Sequence, residues 1–225
     1  MNDFAPEILP QGVDGMILRV SAVLDDASNR YAVALADCLR GVAGVLETAP
    51  SLGSVYVRFD PAVGRAAVTA AVRAVPVPAQ ATDAGRLWEI PCVYDGPQLA
   101  EAASLAGLTS AQAVAELSNQ EVRVLAIGFA PGQPYLGILP EHWNLPRLSG
   151  LTPQVPAGAL VVAVRQLVLF ANASPTGWRM VGRTGFRCFD PAARDHIGLQ
   201  AGDRIRFPVA DAAAISQPNG GARLV

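Results

Sequence analysis

The chain has 225 residues, 51% of them hydrophobic and 16% charged, with a net charge of −2. This balance describes a globular chain with enough length for one or two domains, and it excludes an intrinsically disordered polymer. With no basic block there is no nucleic-acid-binding surface to expect, and no apolar run approaches membrane-spanning length. The polar, acidic start MNDFAPEILP lacks the charged-then-apolar layout of a secretory leader, so a soluble, cytoplasmic protein is expected.

In chain order, residues 1–78 read as a small α+β unit. Ile17 to Ala22 alternate in the manner of a half-buried strand, and Tyr31, Leu35, Leu39 and Val42 recur at helical spacing before Gly44. Val55, Val57 and Phe59 share one face of a strand over residues 54–59. Asp60 and Pro61 then suggest the N-cap and first turn of a helix carrying Val68, Val72 and Val75. This order suggests a split βαβ sandwich. The Pro/Ala/Gly-rich stretch over residues 76–85 marks a linker, placed at 79–86.

The second unit, 87–209, opens with a strand over residues 87–94. Helices are expected over 98–106 and 110–117, the second with a Thr109/Gln112 capping box. Short strands follow at 122–127, 160–164, 167–171, 179–181 and 204–207, separated by Gly and Pro turns, which implies a closed or sandwiched β architecture. Residues 210–225, rich in Ala, Ser, Asn and Gly, are expected to be a flexible tail.

All 17 basic residues are arginine. Without lysine there is no Schiff base, no Walker-type phosphate lysine and no amine nucleophile. GxSxG and HExxH are also absent; the three cysteines lack CxxC spacing and the two histidines are far apart, so no metal site is expected. The catalytic residues are therefore left unassigned.

What remains is a polar and aromatic set in the Pro/Gly-rich region 128–191: Gln133, Tyr135, His142, Arg147, Gln166, Ser174, Trp178, Arg183 and Thr184. An arginine can grip a carboxylate or phosphate through two parallel hydrogen bonds, and a glutamine can donate and accept beside an amide. Each has a plainer reading. Burying Trp178 would remove about 150–250 Å2 from water, worth about 4–6 kcal/mol as an upper bound, so packing alone justifies it. Arg183 serves loop carbonyls as readily as a ligand. Arg147, between two Pro-rich turns, is the better ligand candidate. Tyr135 reads as a packed turn aromatic and His142 as an exposed loop residue, whereas Gln166 amid apolar neighbours needs partners.

The segments Gly128-Phe-Ala-Pro-Gly-Gln-Pro-Tyr-Leu-Gly137, Leu145-Pro-Arg147, Val155-Pro-Ala-Gly158, Ser174-Pro175, Gly177-Trp178, Gly182-Arg-Thr184 and Phe189-Asp-Pro191 carry a resemblance. They resemble the family of the 5-oxoprolinase B subunit, also called allophanate hydrolase subunit 1 or KipI-like proteins. The resemblance implies a ferredoxin-like α+β N-terminal domain and a mainly-β, cyclophilin-like barrel C-terminal domain. It implies a non-autonomous subunit of an ATP-dependent amidohydrolase acting on a small lactam or urea derivative. No cofactor would be bound by this chain alone, with ATP entering in the complex. The partner would be a second cyclophilin-like subunit, of the type of the 5-oxoprolinase C subunit or allophanate hydrolase subunit 2, with room for a third catalytic subunit. The other implied role is a KipI-like module inhibiting a sensor histidine kinase, or a divergent non-catalytic paralogue. The implied ligand residues are Gln133, Tyr135, Arg147, Gln166, Trp178, Arg183 and Thr184. The chain departs from the family pattern at Leu117, Val122, Leu148, Leu151, Phe170 and Thr176, where polar groups or glycines are usual. The barrel should persist while its ligand site changes character.

Overall fold

The structure, a computed structural model, describes residues 6–76, 85–193 and 195–225. The first five residues of the polar start and residues 79–84 of the expected linker lie outside them. The chain divides into two compact units, Met1–Asp83 and Ala84–Val225.

The first unit runs β1 (Glu7–Gln11), β2 (Gly15–Arg19), α1 (Asp26–Leu39), β3 (Val45–Pro50), β4 (Ser54–Phe59) and α2 (Arg65–Ala74). The sheet order is β1-β2-β4-β3, with every neighbour antiparallel. β2 and β3 therefore run parallel to each other on either side of β4, joined by α1. Asp25 caps α1 by accepting from Ser28 N at 2.8 Å, and Leu35, Ala36 and Leu39 of that helix pack with Met16, Leu18, Val55, Val57 and Phe59. The edge strands β1 and β3 escape the alternation rule because both are half-exposed and carry a proline. The expected Asp60 cap instead makes a turn, accepting from Ala62 N at 2.9 Å. α2 begins at Arg65, after Gly64 with φ 83°.

The second unit comprises β5 (Leu87–Glu89), β6 (Cys92–Val93), α3 (Leu99–Leu105), α4 (Ser110–Asn119), β7 (Val122–Ile127), β8 (Pro134–Gly137), β9 (Thr152–Val155), β10 (Ala159–Ala163), β11 (Gln166–Leu169), β12 (Ser174–Thr176), β13 (Arg179–Thr184), β14 (Arg204–Arg206), α5 (Ala212–Ile215) and β15 (Arg223–Leu224). A nine-stranded mixed sheet runs β15-β5-β14-β7-β8-β11-β10-β13-β6, and β9 and β12 form a separate two-stranded ribbon. The expected strand over 87–94 is interrupted at Ile90-Pro91, which places β5 beside β14 and β6 beside β13. Ile90 N donates to Arg206 O and Cys92 N to Pro208 O, both at 2.9 Å, so the same run follows residues 204–209. The sheet thus curls until β5, next to one end, and β6, at the other, are consecutive pieces of chain. The Thr109/Gln112 capping box forms as expected on α4.

Residues 210–225, expected to be flexible, instead carry α5, a 3-10 turn over Pro218–Gly221 and β15, which pairs with β5. Asp211 caps α5 by accepting from Ala214 N at 2.8 Å, and Gly220 tucks against Gly185 so closely that an added Cβ would lie 2.4 Å from the Gly185 carbonyl carbon. Composition suggested fraying, but backbone pairing and a glycine-to-glycine contact order the segment. Among the described residues no helix is long and apolar enough to cross a membrane.

The central strands β8, β11, β10 and β13 are buried on both faces. One face sends Leu136, Leu160, Val162, Leu167, Leu169 and Val181 into a core with Trp143, Phe186 and Phe207. The other sends Ala159, Val161, Ala163, Val168 and Met180 toward Val155, Phe170, Trp178 and Tyr135. The second face is where a cavity opens.

Candidate ligand site

A cavity of about 340 Å3 lies over the second face. Its floor is Tyr135 from β8 and Val168 from β11, which are directly paired across the ladder, with Phe170 just beyond β11. Its sides are Leu148, Leu151, Pro175, Thr176 and Trp178. Trp178 meets Tyr135 edge-on, with ring centroids 6.4 Å apart and planes at 75°.

The loop between β7 and β8 supplies Phe129 and Gln133. Gly128 N donates to Gln133 O at 3.0 Å and Gln133 N to Ala130 O at 3.1 Å, which closes the loop on itself. Phe129 sits at φ 71° and is 79% exposed, projecting at the cavity rim. Gly132 has φ 74°, and a Cβ there would stand 2.3 Å from Cys188 O, so the loop requires glycine at that point. Gln133 is buried; its Oε1 accepts from Ala171 N at 3.4 Å, while its Nε2 has no acceptor among the described residues.

Arg147 reaches the cavity from a short loop held at both flanks. Arg179 Nη1 donates to Pro146 O at 2.5 Å, and Leu148 N donates to Gly177 O at 2.7 Å. The Arg147 guanidinium lies over the Trp178 ring, 5.6 Å from its centroid, and has no carboxylate partner among the described residues. Thr176 Oγ1 is already engaged, accepting from Trp178 N at 3.1 Å. The site therefore offers one uncommitted cation, one uncommitted amide donor, the Tyr135 hydroxyl and the Trp178 indole N–H, set in a wall of aromatic and aliphatic carbon.

The residues singled out from sequence separate into two groups. Gln133, Tyr135, Arg147 and Trp178 line the cavity; so do Leu148, Leu151, Phe170 and Thr176, four of the six departures from the family pattern. The other two departures, Leu117 and Val122, are buried in the opposite core. Gln166, Arg183 and Thr184 are not among the lining residues. Gln166 is buried with its Nε2 unpartnered, at the far end of β11 beside Gly137. Arg183 pairs with Asp95 at 2.9 Å, and Thr184 Oγ1 accepts from Phe186 N at 3.3 Å. β13 carries Arg183 past the cavity because that strand spans residues 179–184 rather than ending at 181. His142 Nε2 is 2.7 Å from Glu116 Oε1, which also accepts from Trp143 Nε1 at 2.8 Å; this cluster braces α4. Sequence reasoning missed Phe129 as a rim residue and Arg179 as the brace of the Arg147 loop. The signal for Arg179 was an arginine inside an apolar strand, which must find partners.

No nucleophile with an adjacent base lies among the cavity's lining residues. The buried cysteines are unsuited to nucleophilic chemistry, because burial pushes the Cys188 thiol up to about 12 and drives Cys92 upward as well. A second, wider hollow of about 710 Å3 includes Asp190, Asp195 and His196. Among the described residues, no group of three His, Cys, Asp or Glu side chains is arranged to hold a metal.

The second unit is thus a curled mixed sheet with few helices, over one face of which a small, largely apolar pocket opens. The chain belongs to the carboxyltransferase-domain family, subdomains C and D, whose model matches residues 6–199. It is 42% identical over 125 residues to the B subunit of 5-oxoprolinase from Escherichia coli O157:H7, a match covering 54% of this chain and 57% of that protein. The chain spans a little over half the length of the curated relatives it matches. Among solved structures, TTHA0988 superposes with a TM-score of 0.79 at 34% identity, covering 88% of this chain and 40% of that one. The Kluyveromyces lactis urea carboxylase covers 100% of this chain and 24% of its own, with a TM-score of 0.73; at 14% identity that likeness concerns the fold alone.

Proposed function

We propose that this chain is a non-autonomous subunit of a heteromeric, ATP-dependent amidohydrolase of the 5-oxoprolinase or allophanate-hydrolase kind, acting on a small lactam or urea derivative. The observation that carries this reading is the cavity: the unpaired Arg147 guanidinium suits a carboxylate, the free Nε2 of Gln133 suits an amide carbonyl, and apolar walls suit a compact ring. In this reading the first unit is a ferredoxin-like sandwich and the second a cyclophilin-like barrel. Binding falls to this chain; ATP and the hydrolytic groups belong to a complex completed by a second cyclophilin-like subunit and a third, catalytic one. The lack of lysine and of an activated nucleophile in the cavity is consistent with that division. Co-expression with candidate sister subunits, followed by lactam-dependent ATP hydrolysis, tests it. Activity that needs this chain and falls with Arg147→Gln supports the reading; full activity without this chain rejects it.

The exposed rim residues Phe129 and Leu151, 79% and 70% accessible, favour a second reading as a KipI-like regulatory module that binds a sensor histidine kinase. Unchanged kinase autophosphorylation in excess protein would remove it.

A further inference from the structure

We infer that the ligand of this cavity is a small carboxylate bearing an apolar body and a neighbouring amide carbonyl, rather than a bare polar lactam acid. The inference rests on the amidohydrolase reading and deepens it by naming the substrate's apolar part. Tyr135, Leu148, Leu151, Val168, Phe170 and Trp178 present carbon to the cavity, and besides the Tyr135 phenol and the Trp178 indole N–H only three polar side chains line it. Of those, Thr176 already accepts from Trp178 N and is mostly buried. That leaves Arg147 for an anionic oxygen and Gln133 Nε2 for a carbonyl oxygen.

A bare lactam acid would satisfy both polar groups and leave most of the carbon surface against water. An aromatic or branched substituent would cover Val168, Phe170 and Leu151 as well, and burying one such side chain is worth roughly ten- to hundredfold in affinity. The positions that set this character are clustered: Leu148, Leu151, Phe170 and Thr176 all line the one cavity, three of them bearing a bulky apolar side chain. Their convergence on a single surface makes it a specificity surface. Arg147 and Gln133 supply the two polar contacts, and the apolar positions around them set the body the site accepts.

The test is calorimetric titration of the full chain, together with its co-purified partner if one is obtained, using four probes: N-acetyl-L-phenylalanine, N-acetyl-L-leucine, the neutral N-acetyl-L-phenylalaninamide, and 5-oxo-L-proline. The two apolar acids should bind about tenfold or more tighter than 5-oxo-L-proline, and the neutral amide about 10- to 100-fold weaker than its acid. Arg147→Gln should remove the preference for the acid over the amide. The double variant Leu148→Ser/Leu151→Ser, at partly and largely exposed positions, should narrow the preference for the apolar acids over 5-oxo-L-proline. Equal or tighter binding of 5-oxo-L-proline by the wild-type chain would overturn the inference and leave the amidohydrolase reading standing. Binding of none of the four would overturn both. Binding of the apolar acids that is indifferent to Arg147→Gln and to the double variant would place them elsewhere and also overturn it.

Discussion

The two faces of β8, β11, β10 and β13 are made from the same strands by the same alternation, yet they do different work. On one face Leu136, Leu160, Leu167 and Leu169 are fully or almost fully buried and pack with Trp143 and Phe207. On the other, Ala159, Val161 and Ala163 are small, and the cover is a two-stranded ribbon and a loop, so the packing stops short and a cavity remains. Strand parity therefore separates residues that hold the fold from residues that line the cavity. A substitution on one face should register as stability and on the other as affinity.

The largest expected effect is on the closed face. Leu160→Ala should cost about 2–5 kcal/mol in urea unfolding, since Leu160 is fully buried among large neighbours; a loss below about 1 kcal/mol would mean the closed face is loosely packed. Next is Glu116→Ala, which strands the buried Trp143 N–H and frees His142; a loss of about 1–3 kcal/mol is expected.

Alkaline pH should act on the same face through Cys188. Its folded thiol is raised to about 12 by burial, whereas the unfolded thiol ionises near 9.0. The stabilisation is therefore fully present below about pH 9 and is lost as pH rises toward 12, with on the order of 1 kcal/mol gone at pH 10. Cys92, shifted the same way, adds to it. Urea midpoints that are flat to pH 9 and fall beyond it, with a shallower fall in Cys188→Ala, are the expected result. The smallest effect is on the open face: Leu151→Ser, at a position 70% exposed, should change stability by less than about 0.5 kcal/mol.

The same contrast explains what was legible in the sequence. Strands with clean alternation or a continuous apolar run were readable: β4 and β7 span the residues expected from their patterns, and the α4 capping box formed. β8, β9 and β12 read as turns because each is short and holds a proline. They are strands only because a partner strand pairs with them, which local sequence does not reveal. The β10–β11 connection carries Val164 and Arg165 at φ 45° and 62° without glycine or asparagine. It is held from outside, Val164 N donating to Leu145 O at 2.8 Å and Arg165 N to Trp143 O at 3.0 Å. Part of the site was legible for a related reason. Gln133, Tyr135, Arg147 and Trp178 stand out as polar or aromatic residues in rigid loops, whereas Phe129 looks like any apolar residue until its exposure is known. Gln166 and Arg183 share those loops' composition, but their strand positions carry them away from the cavity.

The most direct test of this division is urea unfolding of the wild-type chain and of Arg147→Gln, each with and without N-acetyl-L-phenylalanine at the concentration that saturates the wild type. The expected result is equal stability of the two proteins without ligand, within about 0.5 kcal/mol. With ligand, the wild type should gain about 2.7 kcal/mol at a hundredfold excess over its Kd, and Arg147→Gln much less. An unliganded Arg147→Gln protein that is less stable by more than about 1 kcal/mol, or a wild type that gains nothing from the ligand, would contradict the assignment of the open face to binding.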